Sequence, residues 1–109
     1  MVSEFTEDVI RIISNIPKGK VLSYGGIAVL AGKPRGARQV TRILHSSSKK
    51  YNLPWYRVVN SQGKISMKDP VSYAEQRVLL ESEGIEFSSK DHIDFDKYFW
   101  SINSIQDIE

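Results

Sequence analysis

The sequence predicts a mainly α domain with a small β-hairpin, arranged as a winged helix-turn-helix. Three observations carry that expectation. An apolar stripe of helical period opens the chain. Two short helical segments then meet at a tight Gly32-Lys33-Pro34 turn, and the second of them is basic. Later a β-branched run, Arg57-Val58-Val59, leads into the turn residues Asn60-Ser61-Gln62-Gly63. A chain of 109 residues fits one compact domain. Residues 1–100 read as that domain and residues 101–109 as a flexible tail.

Val2, Phe5, Val9, Ile12 and Ile16 lie on one helical face, with Ser3 as cap and Glu4, Glu7 and Asp8 near the positive end. Pro17 and Gly19 stop this helix. Lys18 to Leu22 form a turn into an extended piece. Ser23 then caps a short helix over Tyr24–Ala31, ended by Gly32. Gly25 and Gly26 in its first turn allow close approach of a backbone or ligand. Pro34 suits the first turn of the next helix, which spans Arg35 to His45. Ala37, Val40 and Ile43 or Leu44 form its buried face, while Arg38 and Arg42 share another face with Gln39 and Arg35 nearby. Taken alone, such a helix is equally a solvated basic surface.

Ser46 to Asn52 make a polar loop, suited to tracking phosphates or simply to connecting. Pro54 fixes its own φ and holds Leu53 extended, so Trp55 stands at a rigid corner just before the hairpin. Trp55 and Tyr56 are core aromatics on one reading and site residues on another. Lys64-Ile65-Ser66 returns as the second strand of the hairpin. Val71, Ala74, Val78 and Leu79 mark a further helix, capped by Ser72 and stopped by Gly84. The aromatics of the remaining segment, Phe87 to Trp100, dock back on the domain.

Net charge is +2, and its distribution is more informative. Lys33 to Lys68 hold nine cations and no acid; from Asp69 onward ten acids face three bases. One basic and one acidic block suggest a face suited to phosphates and another suited to solvent or a basic partner. The absence of cysteine excludes disulfides, thiolate nucleophiles and thiolate metal sites. His45 and His92 lack a ligand spacing, so neither metal nor cofactor is expected. No apolar run approaches the ~18 residues of a membrane span, and the start, Met1-Val2-Ser3-Glu4-Phe5, is not that of a signal peptide. A cytoplasmic protein without a membrane partner is the expectation.

Several segments together carry a resemblance. In order they are Ile16-Pro17-Lys18-Gly19-Lys20-Val21, Ser23-Tyr24-Gly25, Gly32-Lys33-Pro34, Ala37-Arg38-Gln39-Val40, Pro54, Arg57-Val58-Val59, Ser61-Gln62-Gly63 and Glu83-Gly84. The set resembles the C-terminal DNA-binding domain of O6-alkylguanine-DNA alkyltransferases. Those enzymes carry Pro-Cys-His-Arg-Val where this chain has Pro54-Trp55-Tyr56-Arg57-Val58. The subgroup with Trp for Cys, the alkyltransferase-like proteins, binds O6-alkylguanine in duplex DNA without repairing it.

The resemblance implies a second helix that enters the minor groove, with contacts from Ser23, Pro34, Arg35, Gly36, Ala37, Arg38, Gln39, Thr41 and Arg42. Gly36 and Ala37 would supply the small residues that such a fit needs. Arg38 matches the arginine that enters the base stack when the damaged nucleotide is flipped out, and Tyr24 the tyrosine that helps rotate it. Tyr24, Trp55, Tyr56, Arg57, Val58 and Lys68 would line the lesion pocket. No catalytic residue is expected, because irreversible alkyl transfer needs a thiolate and Tyr56 is a poor substitute for the activating His. Glu83, which matches the acid that orients that His, becomes structural. Ser47 stands where the enzymes brace the active-site turn with Asn. The implied partners are double-stranded DNA containing O6-alkylguanine and nucleotide excision repair proteins, bound by a monomer. A winged-helix regulator that reads base sequence is the alternative.

Overall fold

The computed structural model describes residues 3–108. Along them run α1 (Glu4–Ser14), β1 (Leu22–Ser23), α2 (Tyr24–Leu30), α3 (Ala37–Ser47), β2 (Val58–Val59), α4 (Pro70–Ser82) and α5 (Phe95–Tyr98). Single 3-10 turns occupy Trp55–Arg57 and Ile105–Asp107. The class is mainly helical, as expected.

α1 forms where its stripe places it. The Ser3 hydroxyl accepts the Thr6 N–H at 3.1 Å, and Phe5, Val9, Ile12 and Ile13 are buried. Val2, the first residue of the expected stripe, lies outside the described residues. The α1 face packs on Ile27 and Ala28 of α2 and on Val40 and Leu44 of α3, making the first of two cores. Val21, Val59, Leu80, Ile85 and Tyr98 belong to the second.

The two-stranded sheet divides these cores. β1 and β2 pair in parallel, Leu22 opposite Val58 and Ser23 opposite Val59. Leu22 and Val58 face the first core; Val21 and Val59 face the second. Alternation along a strand thus supplies both sides of the wall. The helix-turn-helix pair is the crossover that a parallel arrangement needs.

The expected hairpin across residues 58–66 does not form. Asn60 Oδ1 accepts the N–H groups of Gln62 and Lys64, folding the chain into a local turn. Gly63 then turns away to a different partner, its carbonyl accepting the Ile93 N–H at 2.8 Å. Its φ of +77° and a would-be Cβ only 2.6 Å from the Ile93 oxygen both require glycine. Ile65 consequently enters the second core instead of returning alongside Val59.

α4 is rotated relative to its expected register. Asp69, not Ser72, is the cap, accepting the Ser72 N–H at 3.1 Å, with Pro70 in the first turn. Val71 and Val78 are 73% and 63% exposed, and the buried positions are Gln76 and Leu80. Gln76 Nε2 donates to the carbonyls of Tyr56 and Val58, at 3.1 and 3.0 Å. That anchor to the Trp55 corner turns the valines outward, a preference that no apolar spacing reveals.

Residues 101–108 dock on the domain, where a flexible tail was expected. Ile102 and Ile105 pack on the first core, Ile108 is buried there, and Arg11 Nη2 donates to the Ile108 carbonyl at 2.8 Å. The residue just before β1 begins this docking: the Val21 N–H donates to the Tyr98 carbonyl, and the Trp100 N–H to that of Val21. The apolar residues are too widely spaced to announce themselves as one element.

The last fold-determining contact is polar. Tyr56 Oη, Arg57 Nε and the Gly19 N–H all donate to the Glu83 carboxylate, at 2.9, 2.9 and 3.0 Å. Arg57 Nη2 pairs with the same group, and Nη1 donates to the Ile16 carbonyl at 2.9 Å. Burial alone would raise the Glu83 pKa. The hydrogen bonds, led by Arg57, outweigh it and hold the carboxyl below its ordinary value. Arg57 is raised, chiefly by its hydrogen bond to Glu83.

Two expectations follow for stability. Glu83→Gln leaves Arg57 largely buried without its counter-charge and should cost about 3–5 kcal/mol. The wild-type contribution is present above the ordinary Glu pKa of about 4.3 and is lost as pH falls through the lowered folded value. Urea unfolding from pH 7 to pH 3 should therefore show a steeper decline in the wild type than in the variant; parallel curves would remove Glu83 from this role. Ile108→Ala should cost about 2–4 kcal/mol in the same assay, whereas an unchanged midpoint would mean an undocked tail.

Candidate nucleic-acid interface and cavity

α2 begins at Tyr24 because the Ser23 hydroxyl accepts the Gly26 N–H at 2.9 Å. It ends as Gly32 adopts φ +90°. The Lys33 N–H donates back to the Ala28 carbonyl, and the Gly36 N–H to that of Lys33 at 2.8 Å. Pro34 and Arg35 therefore belong to the turn, and α3 starts at Ala37, two residues later than expected.

α3 buries Val40 and Leu44 and exposes Arg38, Gln39, Thr41, Arg42 and His45. Arg38, Thr41 and His45, at i, i+3 and i+7, follow one side of the helix. Lys33 and Arg35 extend the exposed cations before its first turn. Among the described residues the ion pairs are Arg57–Glu83, Arg77–Glu81 and Arg77–Asp91. Of the nine cations between Lys33 and Lys68, then, Arg57 alone is in an ion pair among the described residues. The other eight retain their charge for something outside the chain.

Beside this face lies a cavity of about 470 Å³. α3 contributes Thr41, Leu44 and His45 to its wall, with Ser48 just beyond. Tyr24 and Trp55 meet there, and the Tyr24 hydroxyl shares a hydrogen bond with Ser66 at 3.2 Å. Met67 and Lys68 continue the wall, and Ser72 and Glu75 close it from α4. Trp55 is half-buried: it packs on the first core and stands edge-on to Tyr56, ring centroids 5.9 Å apart. Such a cavity is within the size range of small-ligand sites and combines aromatic walls with a few polar groups.

Of the expected pocket residues, Tyr24, Trp55 and Lys68 meet at the cavity. Tyr56, Arg57 and Val58 do not line it. Arg57 and the Tyr56 hydroxyl are turned onto Glu83, and Val58 is wholly buried in the first core. Tyr56 is also further from acting as a base than an ordinary tyrosine. Burial, and then donation to Glu83, push its pKa up.

Two residues expected at a DNA surface have internal duties. Ser23 is buried and spends its hydroxyl as the α2 cap. Gly36 is buried too, where a Cβ would lie 3.0 Å from the Lys33 carbonyl oxygen and 3.1 Å from the Phe5 ring, so packing alone demands its small size. Thr41 lines the cavity, although the expectation was a groove contact. Sequence reasoning missed Leu44, His45, Ser48, Ser66, Met67, Ser72 and Glu75. Continuing the Thr41 face by four and seven residues would have found His45 and Ser48.

Residues 4–85 match the family described as 6-O-methylguanine DNA methyltransferase, DNA binding domain. A DNA base-flipping protein of Vibrio parahaemolyticus is 45% identical over 97 residues, covering 89% of this chain and 96% of that protein. Alkyltransferase-like protein 1 of Schizosaccharomyces pombe is 44% identical over 85 residues, covering 76% of this chain and 78% of that one. The crystal structure of S. pombe Atl1 in complex with damaged DNA containing O6-carboxymethylguanine superposes with a TM-score of 0.79. It shares 34% identity, over 94% of this chain and 99% of that chain.

Proposed function

Since the chain belongs to the 6-O-methylguanine DNA methyltransferase DNA-binding family, we propose that it recognises O6-alkylguanine in duplex DNA by flipping the nucleotide and holding it without chemistry. The observation that carries this reading is the aromatic cavity beside α3, whose cations are unpaired, in a chain that has no cysteine.

The unpaired cations of α3 and its preceding turn draw the phosphate backbone, as counter-ion release requires. Arg38 is exposed one turn before Thr41, which lines the cavity. Its planar guanidinium can enter the stack and hydrogen-bond the base left behind. Tyr24 stands where the rotating nucleotide passes. The flipped base enters between Tyr24 and Trp55, and Lys68 faces it as a cation. Stacking on an aromatic ring is worth about 1–3 kcal/mol, comparable to the few kcal/mol needed to unstack a base.

Selectivity needs more than that balance. A methyl group adds only about 0.8 kcal/mol on burial, roughly fourfold in affinity. The larger share comes from the duplex, because an alkylated, poorly paired guanine costs less to extrude than a sound one. Larger apolar substituents gain further from the Trp55 and Leu44 surfaces.

No step transfers the alkyl group. The family's nucleophile position holds Trp55, and Tyr56 keeps its proton as a donor to Glu83. The lesion therefore outlives the encounter, and a separate excision step must remove it. Nucleotide excision repair proteins are the partners this reading supplies, with the protein acting as a monomer on DNA in the cytoplasm.

Two duplexes that differ in one O6-methylated guanine should be titrated at one fixed salt, and the DNA then recovered. We expect tighter binding to the methylated duplex with its methyl retained. Equal binding would indicate a sequence-reading winged-helix protein, and loss of the methyl an alkyl transfer. Arg38→Ala should weaken lesion binding by about 1–3 kcal/mol and reduce the fluorescence change of a base analogue opposite the lesion. Unchanged affinity would exclude Arg38 from flipping.

A further inference from the structure

We propose that Glu75 determines which O6 substituents the cavity accepts, disfavouring anionic ones against the attraction of Lys68. The inference rests on the lesion reading above and adds a substrate preference to it.

α4 is held by Gln76, whose amide reaches the Tyr56 and Val58 carbonyls. With Gln76 inward, the α4 flank bearing Ser72 and Glu75, three residues apart, meets the cavity, and Val71 and Val78 point to solvent. Lys68 reaches the same cavity from just before the α4 cap. The neighbouring Asp69 is already committed to Ser72, whose N–H and hydroxyl it accepts at 3.1 and 2.8 Å.

Glu75 and Lys68 both stay exposed, and neither belongs to an ion pair among the described residues. Tyr24 and His45 are the other ionisable groups in the wall. One fixed anion and one fixed cation thus face whatever occupies the cavity. A neutral alkyl group is nearly indifferent to both. A carboxylate is attracted by Lys68 and repelled by Glu75, so Glu75 limits the gain that Lys68 offers.

The test uses the full chain and three duplexes that differ at one guanine: unmodified, O6-methyl and O6-carboxymethyl. All titrations share one pH and one salt. The readout is the affinity ratio of carboxymethyl to methyl, because Glu75 also repels phosphates in any duplex. Glu75→Gln should raise this ratio roughly threefold to tenfold, and Lys68→Gln should lower it by a similar factor. Equal tightening on all three duplexes by Glu75→Gln would assign Glu75 to the phosphates and overturn the proposal, as would an unmoved ratio. Wild-type protein that binds all three duplexes alike would overturn the lesion reading and this proposal together. A wild type that prefers the methylated duplex, with no change of ratio in Glu75→Gln, would overturn the role of Glu75 alone.

Discussion

The arrangement turns on one carboxylate. Glu83 receives Tyr56 and Arg57 from the Trp55 corner and the Gly19 N–H from the turn before β1. Arg57 extends the tie to the segment just after α1 through the Ile16 carbonyl. Two segments distant in sequence, residues 16–19 and 56–57, are thereby fixed around the end of α4. The consequence for the site is directional. With Tyr56 and Arg57 committed to Glu83, Trp55 is the residue of that turn left to face the cavity. Glu83 serves here as architecture, accepting from a tyrosine and an arginine at once.

What the sequence disclosed was local. Ser3 and Ser23 cap helices whose first turns follow them directly, and the α1 stripe needs only its own spacing. The basic block was legible because charge is additive along a chain. What stayed hidden depends on distant partners. Val71 and Val78 imitate a buried face, but the register of α4 is decided by Gln76 and two carbonyls 18 and 20 residues earlier. The turn after β2 looked like a hairpin; the Ile93 backbone, thirty residues on, takes Gly63 instead. Gly36 invited a groove-contact explanation, and the Phe5 ring beneath it gives a sufficient internal one. The cavity was half legible for the same reason. Tyr24, Trp55 and Lys68 carry distinctive chemistry, whereas Ser66, Ser72 and Glu75 become site residues only through the fold.

The two charge blocks of the sequence differ in how their cations are paired. In the acidic half, Arg77 is paired with Asp91 at 2.6 Å and lies near Glu81, which satisfies it at home. In the basic block the exposed cations have no such partners among the described residues. Self-repulsion among them is a modest destabilisation, tolerable because salt screens exposed charges beyond ~10 Å. A polyanion relieves that repulsion and gains from counter-ion release at the same time. The one cation of the block that is paired, Arg57, is the one whose duty is structural.

A cavity in a chain without cysteine has to accomplish something other than thiolate transfer. An enzyme that transfers the alkyl group can accept weak binding, since the covalent step makes each productive encounter permanent. A protein without that step discriminates only through the difference between two binding free energies, and every contact common to sound and damaged DNA cancels. The phosphate contacts supply affinity but none of that difference. It must come from the cost of extrusion and from what touches the O6 substituent. Under the proposed reading, a large, half-buried indole in the cavity wall serves that requirement. Trp55 is stiffened by packing on the first core and on Tyr56, so it offers apolar area to the substituent at little ordering cost. It also concentrates the importance of the remaining wall. Once the indole accounts for size, the fixed charges at Lys68 and Glu75 are the groups left to distinguish one substituent from another.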